Sequence, residues 1–231
     1  KEFLLTSERD GWAHLYRYSI DGKLLAQLTK GEWEVSAVAG VDEARGQVYF
    51  ASTEQSPLER HLYRVALDGG ERRRLTKAAG SHSISMGPSC EYYLDTASSL
   101  SSPPRQALHS SDGSELAVLW EYDRKPLEDY EVLPSEIVEV KGSDGTRFFA
   151  RLMKPAGFRS GQKYPAVVSV YGGPGAQAVR DAWRGLSLDQ VLAHRGFVLW
   201  QLDNRGSAGR GHKREANLYR RLGAKELEDQ K

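Results

Sequence analysis

Short runs of alternating or β-branched apolar residues, separated by Asp-Gly turns, dominate the first 120 residues of the chain. Residues 47–51, for example, precede the sequence HLYR at 61–64, and Asp68-Gly69 follows that run. Alternation with a period of two is typical of half-buried β-strands, and Asp-Gly favours the tight turn of a β-hairpin. Residues 2–6 have the same strand character. We therefore predict that the first half of the chain is all-β.

These strands form an internal repeat. The sequence HLYR occurs at 14–17 with LTK at 28–30, and both recur 47 residues later, at 61–64 and 75–77. A weaker third copy places Asp112-Gly113 44 residues after Asp68-Gly69. A period of 40 to 50 residues holding four short strands is typical of β-propeller blades. Because so few blades cannot close a ring and a free blade edge is an exposed pairing surface, we expect the remaining blades to come from residues before Lys1 or from another chain.

The pattern changes after residue 123. Residues 124–134 are charged, contain two prolines and lack alternation, which predicts a linker between residues 1–123 and a second domain at 135–231. Residues 137–140 and 148–153, on either side of a turn at 142–145, predict a hairpin. Residues 183–194 predict a helix with apolar residues roughly on one face, namely Leu186, Leu188, Val191 and Leu192.

Candidate chemistry lies in the stretch YPAVVSVYGGPG at 164–175. Val167, Val168 and Val170 form a β-branched run of the kind found in strands that are buried on both faces. The glycines that follow allow a sharp turn, which would let backbone N–H groups and the Tyr171 hydroxyl face a developing oxyanion. Taken alone, the turn is equally compatible with an ordinary connection between a strand and a loop.

A second stretch repeats the plan of strand, loop and helix: LDNRGSAGRG at 202–211, followed by RRLGAKELEDQ at 220–230. Together the two stretches resemble the prolyl oligopeptidase family of serine peptidases, most closely its dipeptidyl peptidase IV branch. The resemblance covers roughly the last hundred residues and implies the last blades of a β-propeller followed by the first half of an α/β-hydrolase domain. It also implies that the Tyr171 hydroxyl belongs to an oxyanion hole. Residues with a weaker supporting role in the pocket or its loops are Gly172, Gly173, Asp203, Asn204 and Arg205.

The resemblance also implies that the catalytic triad of the family is missing from residues 1–231. The nucleophilic serine lies in a GxSxG turn downstream of ELEDQ in the family, followed by the acid and the histidine, and no GxSxG occurs in the chain. We expect the nucleophile, acid and base to lie beyond Lys231, and the isolated chain to be inactive. None of the other serine and histidine candidates has such a context: Ser187, Ser207, His194 and His212. Arg205 and Asp203 have a competing interpretation as residues that only pin their loop by hydrogen bonds.

The composition limits the classes of partner and cofactor that the chain is expected to bind. With 39% hydrophobic residues, 27% charged residues and a formal net charge of +1, nothing indicates a nucleic acid or a membrane surface as partner, and no segment is apolar enough to span a bilayer. No phosphate loop or spaced metal-ligand cluster is present, so no metal or other cofactor is expected. The single cysteine, Cys90, excludes an intrachain disulfide. The resemblance implies a peptide substrate and a homodimer of the full-length protein, whereas the compartment stays open.

Three functions are compatible with the sequence. The first, implied by the resemblance, is a serine exopeptidase that cleaves near the amino terminus after proline or alanine, through an acyl-enzyme. The second is an endopeptidase, acylaminoacyl peptidase or esterase of the same fold. The third is a non-catalytic β-propeller module that binds a partner. Tyrosine at position 171, where some relatives have histidine, favours the dipeptidyl peptidase or oligopeptidase branches over the acylaminoacyl peptidases.

Overall fold

The structure, a computed structural model, describes residues 1–231 and contains four β-sheets. The first three are antiparallel, and in each of them neighbouring strands follow one another in the chain. Sheet 1 contains β1 (Glu2–Ser7), β2 (His14–Ser19) and β3 (Leu24–Gln27). Sheet 2 contains β4 (Val35–Asp42), β5 (Gln47–Ser52), β6 (His61–Ala66) and β7 (Arg73–Arg74). Sheet 3 contains β8 (Ser81–Met86), β9 (Tyr92–Ser98), β10 (Arg105–Ser110) and β11 (Glu115–Glu121).

The same side-chain hydrogen bonds occur in both copies of the sequence repeat. In sheet 1, Nδ1 of the His14 ring lies 3.1 Å from the Thr29 hydroxyl oxygen. In sheet 2, Nδ1 of His61 lies 3.0 Å from the Thr76 hydroxyl oxygen. Each threonine hydroxyl also accepts the backbone N–H of the residue after the histidine, at 2.9 and 3.1 Å. The first residue of HLYR and the middle residue of LTK are therefore hydrogen-bonded partners in both copies, which accounts for their recurrence at the same spacing.

Consecutive sheets pack face to face. One apolar cluster joins residues of sheets 1 and 2, namely Leu15, Leu28, Trp33, Val35, Val48, Phe50, Tyr63 and Val65. A second joins sheets 2 and 3 through Tyr49, Leu62, Leu75, Cys90 and Tyr93. Sheet 2, which lies between the other two, therefore packs on both of its faces, as the blades of a propeller do.

The second half of the chain builds a mixed sheet in the order β12-β13-β15-β14. Its strands are β12 (Ser135–Lys141), β13 (Arg147–Met153), β14 (Ala166–Ser169) and β15 (Val198–Leu202). β12 and β13 form the predicted hairpin, and β14 pairs with β15 in parallel. The helices are α1 (Lys125–Glu128), α2 (Leu188–His194), α3 (His212–Glu215), a 3₁₀ turn (Ala216–Leu218) and α4 (Lys225–Gln230). Antiparallel blades followed by a sheet with a parallel crossover confirm the predicted fold class.

Within these 231 residues the strand predicted at 167–170 is not buried on both faces. β14 is the edge strand of its sheet and pairs only with β15. Val168 and Val170 are accordingly 52% and 49% exposed. The run of β-branched residues identified the strand correctly, but its position at an edge, which depends on pairing with distant residues, is not visible in a local pattern.

The helix predicted for residues 183–194 is shorter in the structure. α2 begins at Leu188, after Ser187 in an extended conformation. The predicted apolar face is exposed at Leu188 and Val191, and the buried residues of the helix are Gln190 and Ala193. Gln190 is buried because its side-chain amide donates to the Leu133 carbonyl and accepts the Leu133 N–H, both at 2.9 Å. A polar residue thus takes the core-facing position because it satisfies a buried backbone segment.

Candidate active site

Tyr171 lies two residues beyond the carboxyl end of β14 and is 70% exposed. The backbone can turn there because Gly172 has a φ of +79°, a conformation that a residue with a side chain rarely adopts. The Tyr171 ring lies over Gly173, where an added Cβ would stand 3.0 Å from Tyr171 Cε1. The two glycines therefore give the turn its shape and leave room for the ring.

The carboxyl end of β15 brings a second loop to the same place. β14 and β15 are parallel neighbours, so the residues that follow them emerge at one edge of the sheet, where α/β proteins place their active sites. Asp203 is 3% exposed, and its carboxylate accepts the N–H groups of Ala178 at 2.8 Å and Val179 at 3.2 Å. Asp203 therefore fixes the segment that follows the Tyr171 turn.

Further bonds join the two loops. The side-chain amide of Asn204 donates to the Gly172 carbonyl at 3.3 Å. The Gly175 N–H donates to the Gly206 carbonyl at 2.9 Å, and the Ala208 N–H donates to the Ala176 carbonyl at 3.1 Å. The loop that carries Tyr171 thus lies against the loop after β15 along most of its length.

Arg205 points the other way, toward the end of the chain. Two nitrogens of its guanidinium, Nε and Nη2, donate to the Asp229 carboxylate in α4, and Nε lies 2.8 Å from Oδ1. The Arg205 backbone N–H donates to the same carboxylate at 2.7 Å, and Nη1 donates to Asp144 at 2.8 Å. These charges raise the pKa of Arg205 above its usual range. Arg205 therefore holds its loop to α4 and to the β12–β13 turn.

Burial shifts the pKa values of Asp203 and of its neighbour Arg210. Burial raises the pKa of the Asp203 carboxyl, although the two N–H bonds and Arg210 act in the opposite direction. Arg210 has a guanidinium nitrogen 3.7 Å from Asp203, and burial lowers its pKa to about 10. Arg210 therefore carries a positive charge at neutral pH beside the carboxylate that fixes the loop.

The predicted residues thus fall into two groups. Tyr171, Gly172 and Gly173 form the exposed turn, and the Tyr171 hydroxyl makes no hydrogen bond within the chain, which leaves it free to donate to a ligand. Asp203 and Asn204 lie behind the turn and bond to its loop, whereas Arg205 points away to α4. The pinning interpretation of Asp203 and Arg205 agrees with these bonds.

The four serine and histidine residues considered above are not hydrogen-bonded to one another. His194 bonds the Glu131 carbonyl at 2.7 Å, and His212 lies 2.9 Å from Glu8. Neither ring is hydrogen-bonded to Ser187 or Ser207. No group of three or more His, Cys, Asp or Glu side chains is arranged to hold a metal ion. None of the helices has the length and hydropathy needed to cross a membrane.

Two features of the site were not predicted. Asp229, the main partner of Arg205, lies in the ELEDQ stretch that carried the family likeness, so a signal for it was present. Gln177 and Arg60 meet at 2.6 Å across 117 residues of sequence, and no local pattern marks either of them.

Comparison with known proteins agrees with this arrangement. A family profile described as the dipeptidyl peptidase IV N-terminal region matches residues 1–104, and one described as the prolyl oligopeptidase family matches residues 186–231. Dipeptidyl peptidase 4 of Trichophyton equinum is 34% identical over 97% of the chain. The chain belongs to the dipeptidyl peptidase IV branch of the prolyl oligopeptidase family.

Other members of the branch extend the comparison. Dipeptidyl peptidase 4 of Arthroderma otae is 32% identical over 97% of the chain. The crystal structure of dipeptidyl peptidase 4 from Porphyromonas gingivalis superposes with a TM-score of 0.94 and 31% identity, covering 99% of this chain and 33% of that one. The chain spans about 30% of the length of both curated relatives.

Proposed function

We propose that the protein containing this chain is a serine exopeptidase that releases dipeptides after a penultimate proline or alanine. In this proposal residues 1–123 are late propeller blades, 124–134 the linker, and 135–231 the first part of the hydrolase domain. The nucleophile, acid and base are supplied outside these residues. The names of the relatives support the reaction class, since they are called dipeptidyl peptidases.

Tyr171 is the residue of this chain that we assign to the chemistry. When a serine attacks a peptide carbonyl, the carbonyl oxygen becomes an oxyanion, and a donor placed at that oxygen lowers the barrier. The Tyr171 hydroxyl has the properties of such a donor: it is exposed, unpartnered, and at the sheet edge where parallel strands end. Its loop is fixed from behind by Asp203 and Asn204, so the donor need not be reorganised during the reaction. This combination of a fixed loop and a free hydroxyl is the observation that carries the assignment.

The test uses the full-length protein and the Tyr171→Phe variant, which removes one oxygen and keeps the ring. Loss of one oxyanion donor costs about 10²- to 10³-fold in kcat, with a much smaller change in KM. An unchanged kcat would reject the assignment. Asn217→Ala, at an exposed residue whose side chain bonds only to the carbonyls of Lys213 and Arg214, is the control and should leave kcat unchanged.

Substrate class is tested with paired chromogenic anilides. An exopeptidase that recognises a free amino terminus hydrolyses Gly-Pro anilide and not its N-acetyl form. Equal turnover of the two forms would favour the endopeptidase or acylaminoacyl peptidase alternative, and no turnover of either would favour a non-catalytic propeller module. The isolated 231-residue chain should hydrolyse neither substrate. The homodimer implied by the family likeness is part of the same proposal and is tested by sedimentation equilibrium.

A further inference from the structure

The loop that carries Tyr171 is held from two sides. Asp203 and Asn204 fix it from within its own sheet, as described above. On its other side it meets the segment before β6 in sheet 2, where the Asp181 N–H donates to the Leu58 carbonyl at 2.9 Å. The loop has no regular secondary structure, so these contacts, and not a helix or strand ladder, determine where it lies.

Gln177 is the centre of the contact with sheet 2. Its side-chain oxygen accepts from Arg60 Nη2 at 2.6 Å, and its nitrogen donates to the carbonyls of Pro57 at 2.7 Å and Val179 at 3.1 Å. The amide therefore uses its oxygen on a cation and its nitrogen on two carbonyls. Only glutamine among the side chains of that length supplies both an acceptor and two donors.

Arg60 is held by neutral acceptors. Besides Gln177, its guanidinium donates to the Pro57 carbonyl at 3.1 Å and the Glu59 carbonyl at 2.8 Å, and it has no carboxylate within ion-pair distance. Burial is the main influence that lowers its pKa, to about 10, so the group remains charged at neutral pH. A partly buried cation with few acceptors depends strongly on each of them.

We infer that Arg60 and Gln177 are positioning residues through which the propeller sheet sets the place of the Tyr171 hydroxyl. This inference rests on the proposed function of Tyr171. Neither residue acts on the reacting atoms: Gln177 lies six positions after Tyr171, and Arg60 reaches the loop only through it. The bridge links sheet 2 to a loop of the hydrolase sheet, so it makes the oxyanion donor dependent on how the two parts of the protein are docked.

The experiment measures steady-state kinetics of the full-length protein on Gly-Pro anilide, per active site titrated with a fluorophosphonate. Arg60→Met and Gln177→Ala should each lower kcat by about tenfold or more with little change in KM, because small displacements of a catalytic group have large effects on rate. Arg60→Lys, which keeps the charge, should recover part of the loss. Arg64→Met is the matched control: this arginine lies on β6, has no side-chain hydrogen bond or ion pair, and should not change kcat.

A double-mutant cycle with Tyr171→Phe separates positioning from a general structural effect. If the bridge acts through the Tyr171 hydroxyl, Arg60→Met should change kcat by less than about twofold when that hydroxyl is already absent. Fully additive losses, or a lower melting temperature with unchanged kcat per titrated site, would overturn the inference. An unaffected Tyr171→Phe variant would instead reject the proposed function, so the two failures are distinguishable.

Discussion

The Arg205 guanidinium forms an ion pair with the Asp229 carboxylate. The Asp229 side chain is 1% exposed and that of Arg205 is 12% exposed. The same carboxylate also accepts the Arg205 backbone N–H at 2.7 Å. One acidic side chain of α4 therefore satisfies both the charge and the backbone of the loop that follows β15. Because that loop supports the Tyr171 turn, the pair links the last helix of the chain to the candidate site.

Asp229→Asn should destabilise the protein by about 1–3 kcal/mol, since the part-buried Arg205 guanidinium loses its main partner while keeping its bond to Asp144. The measurement is the free energy of unfolding in urea. Glu139→Gln breaks the ion pair with Arg147 on the β12–β13 hairpin, whose side chains are 36% and 65% exposed, and provides the control. Because both side chains of that pair face solvent, which screens their charges, the control should leave the free energy of unfolding nearly unchanged. Similar losses in the two variants would contradict the structural role given to Asp229.

The repeated histidine–threonine pairs predict equal effects in two sheets. Thr76→Val keeps the shape of the side chain but leaves the buried Leu62 N–H and the His61 ring without their partner. We expect a loss of about 1–3 kcal/mol in the free energy of unfolding, and the same for Thr29→Val in sheet 1.

The exposed Thr6 on β1 makes no side-chain hydrogen bond, so Thr6→Val is the matched control and should be nearly neutral. An effect at Thr76 without one at Thr29 would show that the two copies are not energetically equivalent.

His82 predicts a pH-dependent contribution to stability. Its two ring nitrogens lie 2.7 Å from the Asp95 carboxylate and 3.0 Å from the Ala78 carbonyl, so the protonated ring can donate to both. Burial, the largest single influence, disfavours the charged ring, but Asp95 and the Ala78 carbonyl outweigh it and raise the pKa of His82. The neighbouring His61 ring does not compete for the proton, because burial lowers its pKa.

A raised histidine pKa stabilises the fold fully below the unfolded-state pKa of about 6.5, and this stabilisation is lost as the pH rises through the folded-state pKa. The difference in free energy of unfolding between the wild-type protein and His82→Gln should therefore be largest near pH 6 and shrink at higher pH. Urea titrations between about pH 6 and 9 measure it. In an Asp95→Asn background this pH dependence should disappear, and its persistence would show that Asp95 is not the cause.

Gly206 and Gly223 allow a test of close packing at the site. Both have positive φ, at +98° and +87°. A Cβ on Gly206 would lie 2.1 Å from Leu218 Cδ1, whereas a Cβ on Gly223 meets nothing within 4 Å. Gly223→Ala should cost only the backbone strain of about 1–2 kcal/mol, and Gly206→Ala clearly more, because the buried Leu218 must also move. Equal shifts in melting temperature would indicate that the Gly206 loop can relax freely.

The sequence by itself determined the β-blades, because period-two alternation, Asp-Gly turns and the HLYR and LTK copies are local signals of hairpins. It also predicted the β12–β13 hairpin, and it marked the two glycine-rich stretches that lie together in the structure. Backbone geometry of this kind depends on residues close in the chain, so it can be recognised from neighbouring positions.

Only the tertiary structure decided which surfaces these elements cover and which distant residues meet. The exposed edge position of β14 and the start of α2 at Leu188 depend on strand pairing and on contacts with other parts of the chain. The bridge between Arg60 and Gln177 joins residues from two different sheets. Such long-range polar contacts leave no periodic or compositional pattern in the sequence. Each requires only one suitable side chain at each end and a fold that brings the two within hydrogen-bonding distance.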